Sequence, residues 1–103
     1  MRETGRNGYR AKLVRDIKDL WPDAIILANN PAMKQGIPDI VVLFGPTWVF
    51  IETKASAKAP LRPNQEYYIR RGQEMSYAFL AYPENHEETI HGLQQAFGDR
   101  RNA

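Results

Sequence analysis

The chain has no cysteine, which removes both a disulfide framework and a thiolate metal site and makes a reducing compartment compatible. Long apolar runs are also missing. The opening residues, Met1-Arg2-Glu3-Thr4-Gly5-Arg6, carry no hydrophobic stretch, and nothing later approaches the length of a membrane span, so a cytoplasmic protein without a membrane partner is expected. No internal repeat occurs. Residues 72 to 99 contain no lysine or arginine and five acids, whereas residues 1 to 71 hold 12 Lys/Arg against 7 Asp/Glu. The net charge is only +2, so this asymmetry gathers basic groups in the N-terminal part. Such a face suits a phosphate backbone; on charge alone, a mixed solvated surface is an equal alternative.

What is present describes one domain, residues 1–103, with a hydrophobic fraction of 43% and a charged fraction of 25%. Thr4 to Gly8 hold too many helix breakers for a firm helix. Tyr9, Leu13, Val14, Ile17, Leu20 and Trp21 then recur at helical spacing, which predicts an amphipathic helix from Tyr9 to Trp21, capped by Asn7 and ended by Pro22. Ala24 to Ala28 has the form of a buried strand, and a polar loop from Asn29 to Ile37 follows. Ile40 to Phe44 and Trp48 to Lys54, rich in β-branched and aromatic residues around Gly45-Pro46-Thr47, read as a hairpin. A second helix is expected over Asn64 to Met75, entered through Pro63 and interrupted near Gly72, with Gln65, Tyr68, Ile69 and Gly72 on its packed face. Tyr77 to Tyr82 is a last strand. Asn85 and Glu88 form a capping-box-like start to a final helix carrying Ile90, Leu93 and Phe97, closed by Gly98. A helical crossover between the hairpin and the last strand permits parallel pairing, so the expected architecture is α/β, a mixed sheet flanked by helices.

Three charges sit near the open end of the hairpin. If Phe44 lies opposite Val49, then Asp39 opposes Lys54 and Val41 opposes Glu52, which places Asp39, Glu52 and Lys54 on one face. Two carboxylates beside apolar strands repel each other and lose hydration, so they need a cation. Mg2+, with Mn2+ as its substitute, fits that need: it takes oxygen ligands from one or two carboxylates and fills its other positions with water and phosphate. Removing either carboxylate is then expected to leave the fold's stability unchanged or slightly higher.

The ordered set Gly36, Pro38, Asp39, Glu52, Lys54 and Gln65, with a hairpin between its halves, resembles the signature of the PD-(D/E)xK nucleases, and within them the VRR-NUC branch. The resemblance runs from about Gly36 to Asn85 and implies a restriction-endonuclease-like αβββαβ core, the same order as the residue pattern gives. It implies a Mg2+-dependent DNA endonuclease, structure-selective for branched DNA such as four-way junctions, in a bacterial or phage-infected cytoplasm. By the same resemblance Asp39, Glu52 and the Thr53 backbone carbonyl are metal ligands, Lys54 is the catalytic lysine and Gln65 supports the site. The family's further acid on the first helix corresponds to Glu3, with Asp16 as the substitute if the glycine-rich insert Gly5 to Gly8 displaces it. Arg10, Lys34, Lys58, Arg62, Arg70 and Arg71 are the cations expected to meet DNA. A homodimer is expected, since one small domain offers one site and a two-fold pair offers two.

Each residue has a plainer reading. A lone Glu-x-Lys is more often an ion pair on a strand, Gln65 alone a helix-start residue bonding backbone, and Arg70 and Arg71 a solvated face. His86 and His91 read as surface residues, and Trp48, Tyr67 and Tyr68 as core aromatics before base-stacking ones. The competing functions are a DNA-binding module without turnover and an assembly or interaction domain, separated from a nuclease by a cleavage assay and a metal titration respectively.

Overall fold

Four apolar residues spaced by four, Tyr9, Leu13, Ile17 and Trp21, form the buried stripe against which one face of the sheet closes. The computed structural model describes residues 5–29 and 37–98. Helix α1 spans Gly5–Leu20, strand β1 Ile25–Ala28, β2 Ile40–Phe44, β3 Thr47–Thr53, helix α2 Pro63–Met75, strand β4 Tyr77–Ala81 and helix α3 His86–Phe97, the last entered through a 3-10 turn at Pro83–Asn85. The sheet order is β1-β2-β3-β4. The first two pairings are antiparallel and β3 with β4 is parallel, so the sheet is mixed, with helices on both faces, as expected from the sequence.

Ile40, Val42 and Phe44 from β2 and Val49 and Ile51 from β3 point to the face that carries α1 and α3. There Phe97 stacks edge-on against Trp21 and tilts against Phe44, each at 5.1 Å between ring centroids. Helix α2 covers the opposite face, packing chiefly on β4 and β3. Gly72 allows its close approach: a Cβ there would lie 2.8 Å from a Phe50 ring carbon and 2.9 Å from the Ala78 Cβ. The helix is not interrupted at Gly72, contrary to expectation, because the glycine serves packing and not termination.

Four further expectations are corrected. Helix α1 starts at Gly5, one turn before Tyr9, so Asn7 lies inside it and caps nothing. Tertiary contacts of Arg6, described below, outweigh the poor helix propensity of Gly5 and Gly8. Strand β1 is not buried: it is the sheet edge, and Ile25 and Leu27 are about half exposed because α2 does not extend over them. The hairpin turn has two residues and not three. Gly45 sits at φ 59° while Pro46 keeps φ negative, the chemistry of a type II′ turn, and Thr47 already pairs with Phe44. Lastly, Asn85 does not form a capping box: its side chain turns back to accept from the Tyr82 amide and donate to the Leu80 carbonyl.

His86, expected at the surface, is buried. Its Nε2 lies 2.8 Å from the Asp16 carboxylate and its Nδ1 2.9 Å from the Tyr9 hydroxyl. With Nε2–H donated to Asp16, Nδ1 of the neutral ring accepts the tyrosine proton. This chain ties α1 to α3. Burial, with Asp16 nearby, pushes the Tyr9 hydroxyl up to about 12; Asp16 is held below the usual carboxylate range because hydrogen bonds from Lys12 and His86 outweigh its desolvation. No helix among the described residues is long and apolar enough to cross a membrane.

Candidate active site

The two-residue turn sets the register Ile40↔Ile51, and one step further places Asp39 opposite Glu52. The expected pairing of Asp39 with Lys54 is therefore wrong by two residues. Since strand side chains repeat every two residues, the shift leaves the faces unchanged but brings the carboxylates together and leaves Lys54 beyond the strand end. Asp39 is 1% exposed and Glu52 2%.

Each acid is held by several donors. Asp39 accepts from the Thr53 amide at 3.0 Å, from the Thr53 hydroxyl, and from Arg6 Nη2 at 3.0 Å. Glu52 accepts from the Asp39 amide at 3.3 Å and from Gln65 Nε2 at 2.7 Å, and Arg6 Nη2 lies 3.6 Å from its Oε2. Gln65 also accepts the Arg62 amide at 2.8 Å, so it performs both roles weighed for it: it closes the start of α2 and fixes Glu52. Burial raises Glu52 to about 7, reinforced by Asp39 and partly offset by Arg6 and the two hydrogen bonds.

Glu52 opens on a pocket of about 370 Å³ between the ends of α1 and α2, lined by Arg6, Glu52, Thr53, Lys54, Arg62 and Gln65 with the loop after β3, while Asp39 lies behind this lining. Lys54 faces this pocket, but its ammonium bonds the Ala57 carbonyl and lies over the Tyr82 ring, 5.2 Å from the centroid. The cation on the carboxylates is Arg6, with Arg10 Nη1 4.0 Å from Asp39. Arg10 and Arg62 thus reach the site. Lys58 is exposed on the loop beyond it, Arg71 pairs with Glu74, and Arg70 packs on Tyr67, all away from the pocket lining. Glu3, Lys34 and Gly36 lie outside the described residues. Asp16 cannot substitute for Glu3: it is committed to Lys12 and His86, ten residues along α1 from Arg6.

Sequence reasoning missed Arg6 and the Thr53 hydroxyl. The signal for Arg6 was its i, i+4 spacing with Arg10, which would have placed both on one helix face had the helix been extended through Gly8. Among the described residues no three acids or histidines form a metal-sized group. Two adjacent carboxylates, one of which, Glu52, lines a pocket of about 370 Å³, still fit a hard ion that needs few protein ligands and completes its shell with water and phosphate. Comparison of the chain with protein-family models, with curated proteins and with solved structures gave no match.

Proposed function

We propose that this chain is a divalent-metal-dependent DNA endonuclease of the PD-(D/E)xK type, on a restriction-endonuclease-like fold closest in pattern to the VRR-NUC branch. One observation carries the reading: two buried carboxylates from unlike positions in the sequence meet at the open end of a hairpin, with the glutamine of the next helix on one of them and a cation-rimmed pocket in front. A purely structural ion pair has no need of the pocket or of Gln65.

Asp39 and Glu52 would hold the ion, with the Thr53 carbonyl beside them. Mg2+ or Mn2+ bound there supplies a Lewis acid for the phosphate and for the attacking water. The chain's own groups do the remaining work. Thr53 fixes the Asp39 carboxylate and Gln65 fixes that of Glu52, which limits reorganisation when charge develops. Lys54 exchanges its bond to Ala57 for one to the water or to a phosphate oxygen, and Arg10 and Arg62 hold the flanking backbone. Water oxygen bonds to phosphorus, the bond to the leaving sugar oxygen breaks, and the departing oxygen takes up a proton.

The test is incubation with labelled duplex, nicked, flap and four-way-junction DNA, with Mg2+, with Mn2+ and with chelator. Cleavage that needs the metal and is lost in Asp39→Asn and Glu52→Gln supports the reading. Intact DNA under all conditions, with wild type folded, refutes it and leaves a binding or assembly domain.

A further inference from the structure

We infer that Arg6 is an internal counter-cation that must leave the carboxylates before a divalent ion can bind, and that DNA phosphate receives it. This rests on the nuclease reading above. A single nitrogen, Nη2, stands 3.0 Å from Asp39 and 3.6 Å from Glu52, between one oxygen of each acid. A stable arginine–carboxylate pair ordinarily uses two parallel N–H bonds. Here the fork is not used, and Arg6 Nε is buried without a hydrogen-bond partner among the described residues. The guanidinium behaves as a point charge placed where a shared cation belongs, and leaves its own donors poorly satisfied.

The anchoring of Arg6 suits departure. It lies on the first turn of α1 between Gly5, at φ 65°, and Gly8, two residues that weaken a helix turn. Tyr9, one turn further on, and Asp16, nearly three turns on, are pinned to His86, so the first turn can loosen without disturbing the rest. The Arg6 side chain is 36% exposed and already forms part of the pocket wall with Lys54 and Arg62. Arg6 leaving alone removes the nearest cation from two adjacent buried acids, and an ion arriving alone meets a positive charge. Both obstacles vanish when a phosphate accepts Arg6 as the ion takes its place. Metal and DNA binding are then coupled, and the coupling is reciprocal.

Mn2+ binding, followed by the electron paramagnetic resonance signal of the free ion, tests this with wild type, Arg6→Ala, Arg6→Gln and Asp39→Asn, each with and without a phosphorothioate duplex that resists hydrolysis. Without DNA, both Arg6 variants should bind Mn2+ about tenfold or more tightly than wild type. Adding duplex should tighten wild type by more than it tightens either variant. Arg6 variants no tighter than wild type, with binding lost in Asp39→Asn, would overturn the inference and leave the metal site standing. Equal tightening by duplex in all would overturn the transfer to phosphate. No uptake by wild type or by either Arg6 variant would remove both the inference and the metal site. Arg6→Gln keeps a hydrogen-bond donor, so the comparison survives if the alanine variant folds poorly.

Discussion

At Glu52 the fold opposes the charge that the side chain carries. Its neutral form is favoured up to about pH 7, whereas in the unfolded chain it ionises near 4.5. With chelator present, its contribution to stability is complete below pH 4.5 and is lost as pH rises through 7, an effect of about 3 kcal/mol at most. Glu52→Gln should flatten that slope and raise stability at pH 8 by a fraction of this amount, which urea melts across the range would read. Asp39 differs. Its carboxylate satisfies the Thr53 amide and hydroxyl in a buried setting, so Asp39→Ala orphans donors and should cost about 1–3 kcal/mol. The expectation that either acid can be removed without cost is thereby revised for Asp39. Lys54 touches neither acid, so Lys54→Ala should lose turnover and keep Mn2+ affinity within about twofold, well inside the 1.4 kcal/mol that marks a tenfold change. Calorimetry showing lost ion binding in this variant would contradict the role assigned to it.

At the scale of elements, the hairpin decides what the acids can do, and α2 decides how Glu52 is held. Gly72→Ala illustrates the second point. Helix propensity alone favours alanine by about 1 kcal/mol, but the added methyl would meet Phe50 and Ala78 below 3 Å, and overpacking costs about 1–3 kcal/mol. The variant should be net destabilised, and the displaced α2 should carry Gln65 away from Glu52, lowering cleavage more than the melting temperature suggests. Unchanged cleavage with a higher melting temperature would show that the glycine has no packing role. Periodicity made most of this architecture legible: the stripe of α1, the two hairpin arms and the packed face of α2 follow from spacing, and the parallel β4 from the helical crossover before it. The turn length did not, because Gly-Pro-Thr suits two loop lengths and only the ladder chooses between them. Arg6 was illegible for a related reason, since its helix turn is poor by propensity and exists through a contact 33 residues away. His86 was hidden likewise, its partners lying 70 and 77 residues distant.

The described residues measure 36 × 35 × 25 Å, so their body spans about one turn of duplex, roughly 34–36 Å. Among the described residues four cations, Arg6, Arg10, Lys54 and Arg62, stand at or beside the pocket, and each phosphate neutralised contributes about −0.9 to the slope of log K against log salt. With these four as its phosphate contacts, a single copy on linear duplex should show a slope of about −3.6. A four-way junction offers two symmetry-related strands, and the proposed two-fold pair would engage both pockets, doubling the slope to about −7. The two substrates then differ in salt dependence as well as affinity, with the junction preferred most strongly at low salt. Fluorescence anisotropy across 50–200 mM salt measures the slopes, and sedimentation of the complexes counts the copies. Equal slopes near −3.6 on both DNAs, with one copy on each, would remove the dimer and the preference for branched DNA together while leaving the chemistry at Asp39 and Glu52 untouched.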